Sequence, residues 1–108
     1  MDPQPLVSHH QLWWADTLAG DRPVLVLTRD PVAAVIGKVV VVTLTRTDRR
    51  ISTHLAVGPD DGLPVDSFVN FDDLHTIPRP ALRVFIGRLS AERSALACRM
   101  LTASCGCD

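Results

Sequence analysis

One proline does more than any other residue to limit what this chain can fold into. Gly20-Asp21-Arg22-Pro23 runs straight into Val24-Leu25-Val26-Leu27. The Pro23 ring removes a backbone donor and biases the residue before it toward an extended conformation. Arg22 therefore projects at a strand start instead of lying along a helix. Val24–Leu27 is apolar at every position and reads as a strand buried on both faces. A permanently charged planar fork at the rim of a barrel is well suited to gripping a phosphate. An arginine that only solvates a strand end is the plainer reading of G-x-R-P taken alone.

The rest of the chain continues in short extended pieces. Residues 1–10 read as a flexible arm. Gln11–Ala15 is a short strand with Trp13 and Trp14 on opposite faces. The loop Asp16–Asp21 leads to a strand over Arg22–Arg29. Lys38–Thr45 is the strongest strand, with valine at each of positions 39–42. Thr53–Val57 follows, and Gly58-Pro59-Asp60-Asp61-Gly62 is a turn by composition. Val65–Phe71 is another strand, Asp72–Thr76 one turn before Pro78 and Pro80, and Leu82–Leu89 a last strand. Ser90 caps a helix with Glu92 in its first turn, and Leu96, Ala97, Met100 and Leu101 form its apolar stripe to about Ala103. The sum predicts a mainly β, small, strongly bent antiparallel barrel with a C-terminal helix. Its domain is expected at 11–103, with a tail at 104–108.

Composition removes several classes of function. A chain of 108 residues makes one domain, and 46% hydrophobic residues make it a folding sequence. A net charge of −1 gives no global nucleic-acid signature, so any basic surface must be local. No run approaches the roughly 18 apolar residues of a membrane helix. The N-terminal residues lack a signal-peptide pattern, and a cytoplasmic protein with no membrane association is expected. Cys98, Cys105 and Cys107 are an odd number without an export signal, which argues against a disulfide framework. Cys105 and Cys107 with His9 and His10 offer thiolate and imidazole ligands, but a reduced tail is the simpler reading, and no metal or cofactor is expected.

The residues that carry chemistry gather around Lys38–Thr45. Thr43, Thr45 and Thr47 fall at period two, on one face with Val39 and Val41. Beside them lies a basic loop of Arg46, Arg49 and Arg50, broken by Asp48. Separately these read as β-branched filler and a solvated hairpin turn. With Arg22 they offer a cation, a hydroxyl and a basic rim able to bind a phosphodiester and stabilise charge developing on it. His54 and His75 read as ordinary strand and turn residues or as pocket lining. Trp13 and Trp14 suit core packing or a dimer seam better than base stacking. Asp72 and Asp73 read as turn acids in preference to a divalent-metal site.

The order of motifs resembles the MazF/PemK toxins, ribosome-independent endoribonucleases of bacterial toxin–antitoxin pairs. Leu12-Trp13-Trp14-Ala15 with Gly20–Leu27 resembles their first hairpin, and Val39–Leu44 ending in Thr45 their third strand. Asn70-Phe71-Asp72-Asp73-Leu74-His75-Thr76-Ile77 resembles a short turn of the family, and Ile86-Gly87-Arg88-Leu89-Ser90 its entry into the final helix. The resemblance implies a homodimer of SH3-like barrels that cuts single-stranded RNA selectively, without a metal, to 2′,3′-cyclic phosphate and 5′-hydroxyl ends. It puts the catalytic roles on Arg22 and Thr45, and RNA contacts are expected at Arg46, Thr47, Arg49 and Arg50. A cognate antitoxin, its acidic tail in the same groove, is the implied partner. The alternatives are a non-catalytic SH3-like module that binds RNA or a peptide, and a toxin of the same fold acting on DNA topology enzymes. The second of these has no need of an Arg22–Thr45 pair.

Overall fold

The computed structural model describes residues 4–47 and 51–107. The strands are β1 (Gln11–Thr17), β2 (Gly20–Val26), β3 (Lys38–Thr45), β4 (His54–Val57), β5 (Ser67–Pro78) and β6 (Leu82–Arg88), and α1 spans Ala91–Ser104. They form one six-stranded sheet in the order β4-β5-β3-β2-β1-β6. Every pairing is antiparallel. The mainly β architecture, a curled half-barrel of SH3-like type with a C-terminal helix, is the one expected.

The middle of the sheet is covered on both faces, which is why residues 24–26 and 39–42 are apolar at every position. Strand alternation sends Leu12, Leu25 and Val42 to one face, where they meet Leu55, Phe71, Leu89 and Ala97 of the helix. Trp13, Ala15, Val24, Val26, Val39 and Val41 point the other way and are covered by Val7, Ala33 and Leu82. The curl closes where the turn Pro59–Asp61 meets β6. A Cβ on Gly87 would lie 2.1 Å from the Asp61 carbonyl oxygen, and one on Gly62 (φ +94) 2.5 Å from that of Ile86. Only glycine permits backbones to approach so closely. The buried Asp61 carboxylate accepts the Gly58 N–H at 2.9 Å and lies 3.5 Å from Arg93 Nε, while Arg93 also donates to the Ala56 carbonyl. One arginine of α1 thus ties the helix to the closing turn and to β4. The Ser90 hydroxyl caps α1 as expected, accepting the Arg93 N–H at 3.2 Å.

Several boundaries differ from expectation. Most of the Asp16–Asp21 loop is hairpin: Asp16 pairs with Asp21 and Thr17 with Gly20, leaving Leu18 and Ala19 at the tip. Gly20 at φ +95 makes the tight turn possible, and β2 accordingly runs from Gly20 to Val26 instead of Arg22 to Arg29. The expected strand Val65–Phe71 and turn Asp72–Thr76 are one twelve-residue strand, β5. Its polar middle is taken up as an irregularity, the β3–β5 register jumping between Val42↔Leu74 and Leu44↔Val69. There Asn70 Oδ1 accepts the Asp72 N–H at 3.0 Å and the Asp72 carboxylate takes the Thr53 hydroxyl at 2.6 Å. The acids serve a bulge that bends the strand, not a turn that ends it. At the other end, the arm expected through residue 10 is packed from Val7 onward. Val7 and His10 are buried, and the His10 N–H donates to the Val26 carbonyl.

Candidate nuclease cleft

Arg22 stands at the junction of two clefts. It pairs with Ala15 across β1–β2, and Val24 pairs with Thr43 across β2–β3. Continuing that antiparallel register by two residues sets Arg22 across from Thr45, each near the end of its strand. Both side chains line a cleft of about 470 Å³, together with Trp14, Pro23, Leu44 and Arg46. Arg22 and Arg46 are exposed and Thr45 is half-buried. Thr45 Oγ1 accepts the Thr47 N–H at 3.2 Å, a local bond that stops the strand and fixes the hydroxyl while leaving it a proton to donate. Thr47 itself is exposed and does not line this cleft. Arg49 and Arg50 lie outside the described residues.

The second cleft, of about 770 Å³, also contains Arg22 and has a different character. Val24, Val41, Ile77 and Pro78 form apolar walls, and Leu18 and Ala19 of the hairpin tip border it. Its polar edge is a linked trio. The Thr43 hydroxyl donates to Asp73 Oδ2 at 2.5 Å, and His75 Nε2 meets Asp73 Oδ1 at 2.9 Å. This separates the two threonines: the Thr43 proton is committed to a carboxylate, whereas Thr45 lies beside two arginines. An anion belongs by Arg22, Thr45 and Arg46, and a flat, weakly polar group belongs between the apolar walls.

The tryptophans divide as strand alternation requires. Trp13 is core, its Nε1–H donating to Gln11 Oε1 at 2.9 Å and its ring edge-on to Phe85. Trp14 is half-buried and lines the arginine cleft. Trp14, read from the sequence as core or dimer seam, and Asp73, read as a turn acid, are cleft residues, and of the two readings of His75 the pocket lining is the one that fits. Period two would have found Asp73 and His75, since 73 and 75 share parity with Ile77 once β5 is read as a strand. His54 is buried on β4 and lines neither cleft. Among the described residues, the three-membered cluster of metal-ligating side chains is His9, His10 and Cys98, away from both clefts.

A family model described as a PemK-like, MazF-like toxin of type II toxin–antitoxin systems matches residues 9–104. A relative from Mycobacterium tuberculosis strain H37Rv, named probable endoribonuclease MazF2, is 55% identical over 98 residues, covering 90% of this chain and 96% of its own. Among solved structures, the Mycobacterium tuberculosis toxin MazF-mt6 superposes with a TM-score of 0.85 at 32% identity, covering 91% of this chain and 98% of its own. A mycobacterial endoribonuclease in complex with its cognate antitoxin superposes with a TM-score of 0.84 at 27% identity, covering 97% and 98%.

Proposed function

The chain belongs to the PemK-like, MazF-like toxin family of type II toxin–antitoxin systems, and on that footing we propose that it is an endoribonuclease acting on single-stranded RNA at the cleft lined by Arg22 and Thr45. The 2′-hydroxyl beside the scissile phosphate attacks phosphorus, so that the O2′–P bond forms as the P–O5′ bond breaks. The 2′ proton is lost and O5′ gains one, leaving 2′,3′-cyclic phosphate and 5′-hydroxyl ends. Negative charge grows on the non-bridging oxygens, where the Arg22 fork and the Thr45 hydroxyl oppose it. The planar guanidinium brings positive charge and several N–H donors to the phosphate, so Arg22 acts by electrostatic stabilisation. The nucleophile belongs to the substrate and the charge is met by guanidinium groups, which makes the reaction metal-independent.

Arg46, with Thr47, Arg49 and Arg50, carries the neighbouring phosphates. Unstacked bases enter the apolar cleft or stack on Trp14 in the arginine cleft next to it, and selectivity arises there, as it does wherever single strands are read by their bases. The same basic rim suits the acidic tail of a cognate antitoxin, the class of partner bound by one similar mycobacterial protein. The working unit is a homodimer and its place of action the cytoplasm. The observation that carries this reading is the placement of Arg22, which lines both clefts and shares one of them with Thr45.

The test is incubation of the purified protein with a long RNA in excess EDTA, followed by mapping of fragment ends. Discrete cuts with 5′-hydroxyl ends are expected. A requirement for added divalent ions contradicts the mechanism, and RNA that is bound but left intact favours the non-catalytic binding module.

A further inference from the structure

His9 and His10 precede β1, and Cys98 lies on α1, yet their ligand atoms all fall within 4.8 Å of one another. Chain neighbours on an extended backbone normally point their side chains apart. Here His10 sits at φ +60, a left-handed conformation uncommon for a residue other than glycine, and the two imidazoles stack with centroids 3.6 Å apart. One nitrogen of each ring, Nδ1, is held. His9 Nδ1 lies 3.1 Å from the Leu27 carbonyl oxygen, which only accepts, so that nitrogen carries the proton and Nε2 keeps its lone pair. His10 Nδ1 bonds the Ser94 hydroxyl. Ser94 and Cys98 are four residues apart on α1, so the residue that holds the His10 ring and the thiol share one helix face.

A ring nitrogen fixed by a carbonyl or hydroxyl partner while the other nitrogen is presented is the arrangement of metal-ligating histidines. We propose that His9, His10 and Cys98 form a binding site for a zinc-class divalent cation, three protein ligands with a fourth position open. Neutral imidazole and thiolate are the donors such a cation takes, and the thiol releases its proton to solvent on binding. The bound ion joins the segment before β1 to the last helix, two parts of the fold otherwise far apart in the chain. It therefore acts on stability, separately from the arginine clefts, with which it shares no lining residue. Cys105 and Cys107, the thiols that a sequence reading sets beside these histidines, are not members of the cluster.

The test is titration of the reduced, metal-free full chain with Co²⁺, then displacement by Zn²⁺, in the wild type, His9→Asn, Cys98→Ser and a Cys105→Ser/Cys107→Ser double variant. Both single changes are at positions that are not buried, and far-ultraviolet circular dichroism checks their fold. The wild type and the double variant are expected to bind one Co²⁺ per chain with a thiolate-to-metal charge-transfer band, and Zn²⁺ is expected to raise their Tm. His9→Asn and Cys98→Ser are expected to lose the band and the Tm rise. Absence of the band in the wild type, or its survival in Cys98→Ser, overturns the proposal. These readouts do not involve RNA, so either result leaves the nuclease reading to its own test.

Discussion

Two side chains from neighbouring strands are asked to act on one phosphate, and each has a measurable share. Replacing Arg22 by alanine removes the charged donors facing the phosphorane, a loss of about 10²–10³ in single-turnover rate. Thr45→Val removes one hydrogen bond to a charged acceptor, about ten- to a hundredfold. Thr43→Val is expected to leave the rate within a few-fold of wild type, because the Thr43 proton is already given to Asp73. A Thr43→Val variant slower than Thr45→Val would reverse the assignment. Arg22 was legible in the sequence because Pro23 and the apolar run leave an arginine at that spot only one place to point. Asp73 was not, because its bond to Thr43 joins β5 to β3, a strand remote in sequence, while His75 was legible only as one of two readings, turn residue or pocket lining.

At the scale of elements, the strands rich in valine and leucine were plain, and the errors fell where polar residues sit inside strands. Asp72 and Asp73 read as a turn because acids are rare in strand interiors. Their tertiary role, accepting the hydroxyls of Thr53 and Thr43, is invisible without the fold. The Ser90 cap was readable because capping is local: Ser90→Ala should lower stability by about 0.5–2 kcal/mol in urea unfolding. Barrel closure was not readable, since it depends on Gly62 and Gly87 meeting residues distant in the chain. Gly87→Ala, whose Cβ would strike the Asp61 backbone, should cost at least about 1–3 kcal/mol in the same measurement. A neutral Gly87→Ala would mean that the sheet does not close as described.

For the molecule as a whole, a net charge of −1 and a local basic rim make the same electrostatic demand. RNA affinity should fall with salt, and Arg46→Ala should lower the slope of log K against log salt by about 0.7 for one lost phosphate contact. An unchanged slope would remove Arg46 from the interface. Net charge hid this surface, because acids elsewhere on the chain cancel the arginines in any sum.

A double-mutant cycle on single-turnover RNA cleavage, comparing wild type, Arg22→Lys, Thr45→Val and the double variant, asks whether the two side chains act on one phosphate. If both groups hold the same phosphate in the transition state, their effects couple by about 0.5–3 kcal/mol. Effects that simply add, within about 0.3–0.5 kcal/mol, would show that Arg22 and Thr45 act at separate places and not on one phosphate.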